Sequence, residues 1–215
     1  MANKGMVELR VDISDMDRRL GEMKAALGPE KFQALMIRTF NEVGRRSKKI
    51  ISDAVRQSYE APATWIKSDI KRPQIQVGGA RVGLVIPIQG ERGIIGNAGK
   101  RFKATKRGPG ANVTWPRKGQ RYKILARVVK RTRSVLPPEM SHIGNQPPFI
   151  PHHGKLAGLA FSREGKKRLP IQKVVGIAVP QMPDNIARPQ VEKAIYNLVE
   201  RRLEHNFAYM TRNLK

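Results

Sequence analysis

Near its start the chain alternates Val7, Leu9, Val11 and Ile13 with Glu8, Arg10 and Asp12, the period-two pattern of a half-buried strand. Ser14 with Asp17 three residues on resembles a capping box, and Met16, Leu20, Met23 and Leu27 then recur at helical spacing. Gly28-Pro29 closes that helix and opens a longer one, predicted over 29–59. Its apolar stripe runs through Phe32, Leu35, Met36, Phe40, Val43, Ile50, Ile51, Ala54 and Val55. Ser47 interrupts the stripe, Gly44 costs helix stability, and Arg45, Arg46, Lys48 and Lys49 crowd beside the interruption as a solvated face or a subunit contact. Ala61-Pro62 breaks the helix, with one short further turn predicted at Trp65, Ile66 and Ile70.

Ile75 and Val77, then Val82, Leu84, Ile86 and Ile88, alternate across Gly78-Gly79, which predicts a hairpin. The pattern then fails. Glycine recurs at 90, 93, 96, 99, 108, 110 and 119 with lysine and arginine between, so residues 90–121 are expected to form a basic Gly-rich arm or loop. A strand is predicted over 121–130 with Arg127, Lys130 and Arg131 facing out, followed by a Pro-rich irregular segment over 136–154. Residues 159–163 and 169–175 read as two strands around Glu164-Gly165-Lys166-Lys167, and Pro170 and Pro180 bracket an apolar run because proline belongs at strand ends. A last helix is expected over 189–213, with Val191, Ile195, Leu198, Val199, Leu203, Phe207 and Met210 on one face. The order predicts one α+β domain over 1–215: an antiparallel sheet with long amphipathic helices packed on one face and an extended basic arm.

Charge changes the picture. The net charge is +25, and residues 92–183 hold 20 Lys/Arg against only Glu139 and Glu164. Residues 1–91 carry 16 against 11, and residues 184–215 carry 6 against 4. A field so concentrated favours an anionic partner, either nucleic acid or an acidic protein surface. There is no cysteine, which removes disulfides, a thiol nucleophile and cysteine-ligated zinc and fits assembly in a reducing cytoplasm. No apolar run nears the roughly 20 residues of a membrane span, and a soluble protein without membrane contact is expected.

Little in the sequence points to catalysis. Gly93 to Lys100 has five residues between Gly93 and Gly99 where a phosphate-binding loop needs four, and Arg101 stands where a magnesium-ligating hydroxyl belongs. His152-His153 has no neighbouring carboxylate, His142 and His205 are isolated, and no Gly-x-Ser-x-Gly elbow occurs. Asp53 and Asp69 have no two-metal spacing. The expectation is no enzyme, no cofactor and no metal. The candidate partner-docking residues are the cations Arg101, Lys103, Lys106, Arg107, Arg117, Lys118, Arg121, Lys123, Arg127, Lys130, Arg131 and Arg133. Phe102, Trp115 and Tyr122 lie among them, an interleaving that suits base stacking with phosphate contact, so the alternative function is sequence-independent nucleic-acid binding.

The stretch "GKKRLPIQKVVGIAVPQM", followed by a helix ending "NLVERRLEH", resembles the minor tail protein Z family of tailed phages and prophages. The residues that carry the likeness are Leu169, Pro170, Ile171, Gly176, Val179, Pro180 and Met182, a motif expected in the core. Upstream, "FNEVGRRSKKIISDAVRQSY" and "APATWIKSDI" are also similar, so the likeness covers roughly residues 30–90 and 155–210 and leaves out the arm. It implies a structural virion protein, assembled in the host cytoplasm, that completes the tail at the neck (the head–tail connector). It would be one subunit of a ring, expected to be hexameric, around the DNA channel. Its expected neighbours are neck, tail-terminator, tube or portal-side proteins, with non-specific contact to genomic DNA. The hairpin 159–175 is expected to belong to the core sheet.

Overall fold

A computed structural model describes residues 5–10, 16–78, 81–96, 102–109, 111, 122–131, 134–135, 148–163 and 169–212. The fold is α+β. The chain gathers into two compact units, each assembled from separate segments. Unit 1 comprises Met1–Gln57, Ile66–Gly90 and Pro180–Lys215, and unit 2 comprises Ser58–Trp65 and Glu91–Val179. Unit 1 has 22 Lys/Arg against 13 Asp/Glu, a net +9, whereas unit 2 has 20 against four, a net +16.

Unit 1 holds the long helices. Helix α1 (Asp17–Leu27) starts after Met16 without a side-chain cap, and Ser14 lies outside the described residues. Gly28 ends it at φ 77°, a left-handed conformation that suits glycine, and donates its N–H to the Lys24 carbonyl at 2.9 Å. Helix α2 (Pro29–Ser58) follows at once, within one residue of the predicted bounds. Its stripe buries Leu35, Met36, Phe40, Val43, Ile51 and Val55. The interruption at Ser47 is tolerated because that buried hydroxyl donates to the Gly44 carbonyl at 2.8 Å. Gly44 itself is explained by Pro73, whose side chain would lie 3.3 Å from any added Cβ.

Helix α3 (Ala63–Asp69) is the predicted short turn, and helix α4 (Arg188–Arg212) is the predicted last one. Val191, Ile195, Leu198, Val199 and Leu203 are buried along α4, while Phe207 and Met210 are half-buried. Three polar contacts tie α4 to the earlier helices. Arg19 reaches Glu200 and Glu204 at 2.7 and 2.6 Å, Arg202 approaches Glu42 at 3.6 Å, and Arg38 lies over the Tyr209 ring at 4.4 Å. A buried Asn206 side chain also donates to the Thr39 hydroxyl at 3.2 Å.

The sheet of unit 1 has three antiparallel strands in the order β1 (Gly5–Arg10), β3 (Arg81–Gly90), β2 (Gln74–Gly78). The predicted hairpin is present, with its strands paired from Gln74 opposite Val85 to Gly78 opposite Arg81. Leu84, Ile86 and Ile88 of the central strand are fully buried.

The single antiparallel sheet expected from the sequence is in fact three sheets, and one of them is mixed. In unit 2 the order is β10 (Val175–Ala178), β4 (Arg92–Gly96), β5 (Phe102–Arg107), β6 (Lys123–Arg127), β7 (Ser134–Val135), with β4 and β5 parallel. Strands β8 (Phe161–Arg163) and β9 (Ile171–Lys173) make a separate two-stranded ribbon, so the hairpin over 159–175 is not part of the larger sheet. Val174 joins the two. Its N–H donates to the Ala160 carbonyl at 2.8 Å, and its own carbonyl accepts from Ile95 at 3.2 Å. The chain leaves one sheet for the other at this residue. A short 3-10 turn at Val179–Gln181 then carries Pro180 and leads towards α4. Val179, Pro180 and Met182 are buried, as the motif implies. Leu169 is not: it is 65% exposed. Among the described residues the β8–β9 register ends at Arg163 opposite Ile171; Pro170 is exposed and Ile171 half-buried.

Candidate functional site

The stretch expected to be a basic arm contains two of the strands just described. Phe102, the first residue of β5, is fully buried. Its ring meets Trp65 edge-on at 5.4 Å between centroids. Two glycines make room for it. A Cβ on Gly93 would fall 2.5 Å from the Trp65 ring and closer still to the Phe102 ring, and a Cβ on Gly176 would lie 2.9 Å from Phe102. Gly176, a motif residue, is therefore a packing position. It also follows that Phe102 cannot stack on a base, and the expected interleaving of aromatics and cations fails there.

Strand β5 pairs with β6 over five residues: Lys103 with Arg127, Ala104 with Ala126, Thr105 with Leu125, Lys106 with Ile124, Arg107 with Lys123. Directly opposed residues share a face, and successive residues alternate faces. One face carries Phe102, Ala104, Ile124 and Ala126, all buried. The other carries Lys103, Arg107, Lys123, Arg127, Thr105 and Leu125; the first three are exposed and Arg127 and Leu125 half-buried. The fold thus sets like charges directly opposite one another twice, Lys103 against Arg127 and Arg107 against Lys123. Such pairs destabilise a sheet unless something anionic covers them. Among the described residues none of these four makes a salt bridge, whereas Arg19, Arg188 and Arg202 of unit 1 do.

Lys106 points to the other side. Its side-chain nitrogen is within hydrogen-bond reach of His152 Nε2 and lies over the Tyr122 ring at 4.8 Å. The Tyr122 hydroxyl accepts from the Ile150 N–H at 3.2 Å. Burial holds the Lys106 ammonium below the ordinary lysine pKa. Lys106 is therefore a structural member of this unit rather than part of the exposed set. Lys130 donates its backbone N–H to the Ser58 carbonyl at 2.8 Å, and Arg131 is exposed with φ 63°. Arg101, Arg117, Lys118, Arg121 and Arg133, together with Trp115, lie outside the described residues.

Comparison with family models, with curated proteins and with solved structures finds no match. The site must therefore be read from its own chemistry. Among the described residues no group of three His, Cys, Asp or Glu side chains converges to hold a metal ion, and no helix is long and apolar enough to cross a membrane. His152 and His153 stand 6.2 Å apart between ring centroids, and His205 is exposed on α4. What the geometry brings together is a row of cations on one sheet face. The sequence does carry the signal, since Lys103-x-Thr105-x-Arg107 and Lys123-x-Leu125-x-Arg127 alternate with buried residues at period two.

Proposed function

We propose that this protein is a structural, non-catalytic virion subunit of a tailed phage, completing the tail at the neck as one member of a closed ring around the DNA channel. The observation that carries the reading is the segregation of charge. Within unit 1 carboxylates answer Arg19, Arg188 and Arg202, while unit 2 holds a net +16 and sets Lys103, Arg107, Lys123 and Arg127 in opposed pairs on one sheet face without a salt bridge among the described residues. An isolated globule gains nothing from such an arrangement, whereas a subunit that meets an anionic partner on assembly does. The likeness to the minor tail protein Z family, on Gly176, Val179, Pro180 and Met182 in particular, supplies the setting. Ring closure requires heterologous contacts between copies.

Imaging of intact particles tests the proposal: it expects density for this chain as a ring at the junction of head and tail. Particles assembled without the protein should show filled heads and separate tails. Purified virions that lack the chain would overturn the reading.

A further inference from the structure

We propose that the exposed face of β5 and β6 binds the phosphate backbone of double-stranded DNA without reading its sequence. The inference takes its setting from the neck reading above, but its physical basis is the sheet face alone. Lys103 with Arg127 forms one cation pair and Arg107 with Lys123 the other. Cross-strand neighbours are roughly 5 Å apart and the two pairs lie four residues apart along the strands, about 13 Å at 3.3 Å per residue. Duplex DNA carries one negative charge per roughly 1.7 Å of axis with both strands counted, so a length matching this patch carries about seven or eight phosphate charges, and those on its near side meet the four cations. An acidic protein surface rarely reaches that density.

The rest of the face argues the same way. A protein partner is anchored by buried aromatic residues at the centre of its interface. Here the centre is Thr105 and a half-buried Leu125, and Phe102 is buried on the opposite side. Among the described residues β5 and β6 put no ring on this face, so the face itself offers no platform for base stacking. What remains is chemistry suited to phosphate: two guanidiniums able to fork onto phosphate oxygens, two ammonium groups, and a hydroxyl between them. The pairs of like charge, unfavourable in the free protein, become favourable when a polyanion lies across them.

The experiment measures binding of the full chain to a labelled random-sequence DNA duplex by fluorescence anisotropy across about 50 to 200 mM salt. Three proteins are compared: the unaltered chain, Lys103→Gln with Arg127→Gln, and a control with Lys24→Gln and Lys31→Gln, which removes the same charge from exposed helix positions in unit 1. Each phosphate contact contributes about 0.9 to the slope of log affinity against log salt. The sheet variant should lower that slope by about 2 and weaken binding roughly sixtyfold near 0.1 M salt, while the control leaves the slope unchanged. Melting curves check that both variants fold; should the first fail to, Arg107→Gln with Lys123→Gln takes its place. Equal losses in sheet variant and control would overturn the proposal in favour of net charge alone. No binding at low salt would overturn it outright. So would binding of poly-glutamate, but not DNA, through the same residues, because the partner would then be an acidic protein. None of these failures touches the position of the chain in the particle, which imaging decides separately.

Discussion

Replacing Gly93 by alanine should be the most damaging one-methyl change in unit 2. The added Cβ would fall 2.5 Å from the Trp65 ring and closer still to the Phe102 ring, where ordinary contact begins near 3.4 Å. Both rings are buried and already in edge-on contact, so neither can swing away as a flexible chain end would. Overpacking of this kind costs about 1–3 kcal/mol and sometimes more, and two rigid neighbours place Gly93→Ala at the upper end. At about 4–8 °C per kcal/mol for a unit of roughly 100 residues, the melting transition of unit 2 should fall by 10 °C or more. Trp65 fluorescence follows that transition and urea titration gives the free energy. Trimming the ring should relieve the clash, so the cost of Gly93→Ala in a Phe102→Leu background should shrink by about 1 kcal/mol or more, the coupling expected of residues in contact. Gly83→Ala serves as the opposite case. Nothing lies within 4 Å of its added Cβ, and it should gain about 0.5–1 kcal/mol because glycine weakens a strand interior. A Gly93→Ala protein as stable as the parent, or a cost unchanged by Phe102→Leu, would refute the packing argument.

Three further outcomes follow. Asn206→Ala should cost about 1–3 kcal/mol by stranding the buried Thr39 hydroxyl, whereas Asn206→Leu with Thr39→Val should recover most of that loss in urea titration. Lys106 has a folded pKa below its ordinary value near 10.5, so the unfolded chain holds the proton more tightly. Stability should therefore rise with pH between the lowered pKa and 10.5, and Lys106→Met should flatten that rise in melts taken along the alkaline limb. Arg19→Ala should give a small loss of stability at low salt that vanishes at high salt, because its pairs with Glu200 and Glu204 are exposed and screened.

The helices were legible because their apolar residues repeat over many turns. Helix α2 keeps one stripe from Leu35 to Val55, and the serine that breaks it hides its polarity in its own backbone. The strands of unit 2 were much harder to read. On the buried face of β5 and β6 Phe102 and Ile124 alternate with Ala104 and Ala126, whose small side chains weaken the hydropathy signal, and the other face is cationic. Gly93 looked like loop punctuation and Gly176 stood out only as part of the family motif, yet both are hollows that seat Phe102. Leu169 misled in the other direction, since an apolar residue before a proline lies beyond the last strand pair. Distance along the chain also concealed the interleaving of the two units, because no linker composition marks the places where the backbone passes from one to the other.

That interleaving has a consequence for synthesis. Residues 58–65 and 91–179 are synthesised before the last segment of unit 1, residues 180–215. All of unit 2 is therefore on the chain while α2 still lacks α4, and Thr39 waits for the Asn206 side chain that donates to it. The cationic unit can gather without the final helix, whereas the long-helix unit cannot.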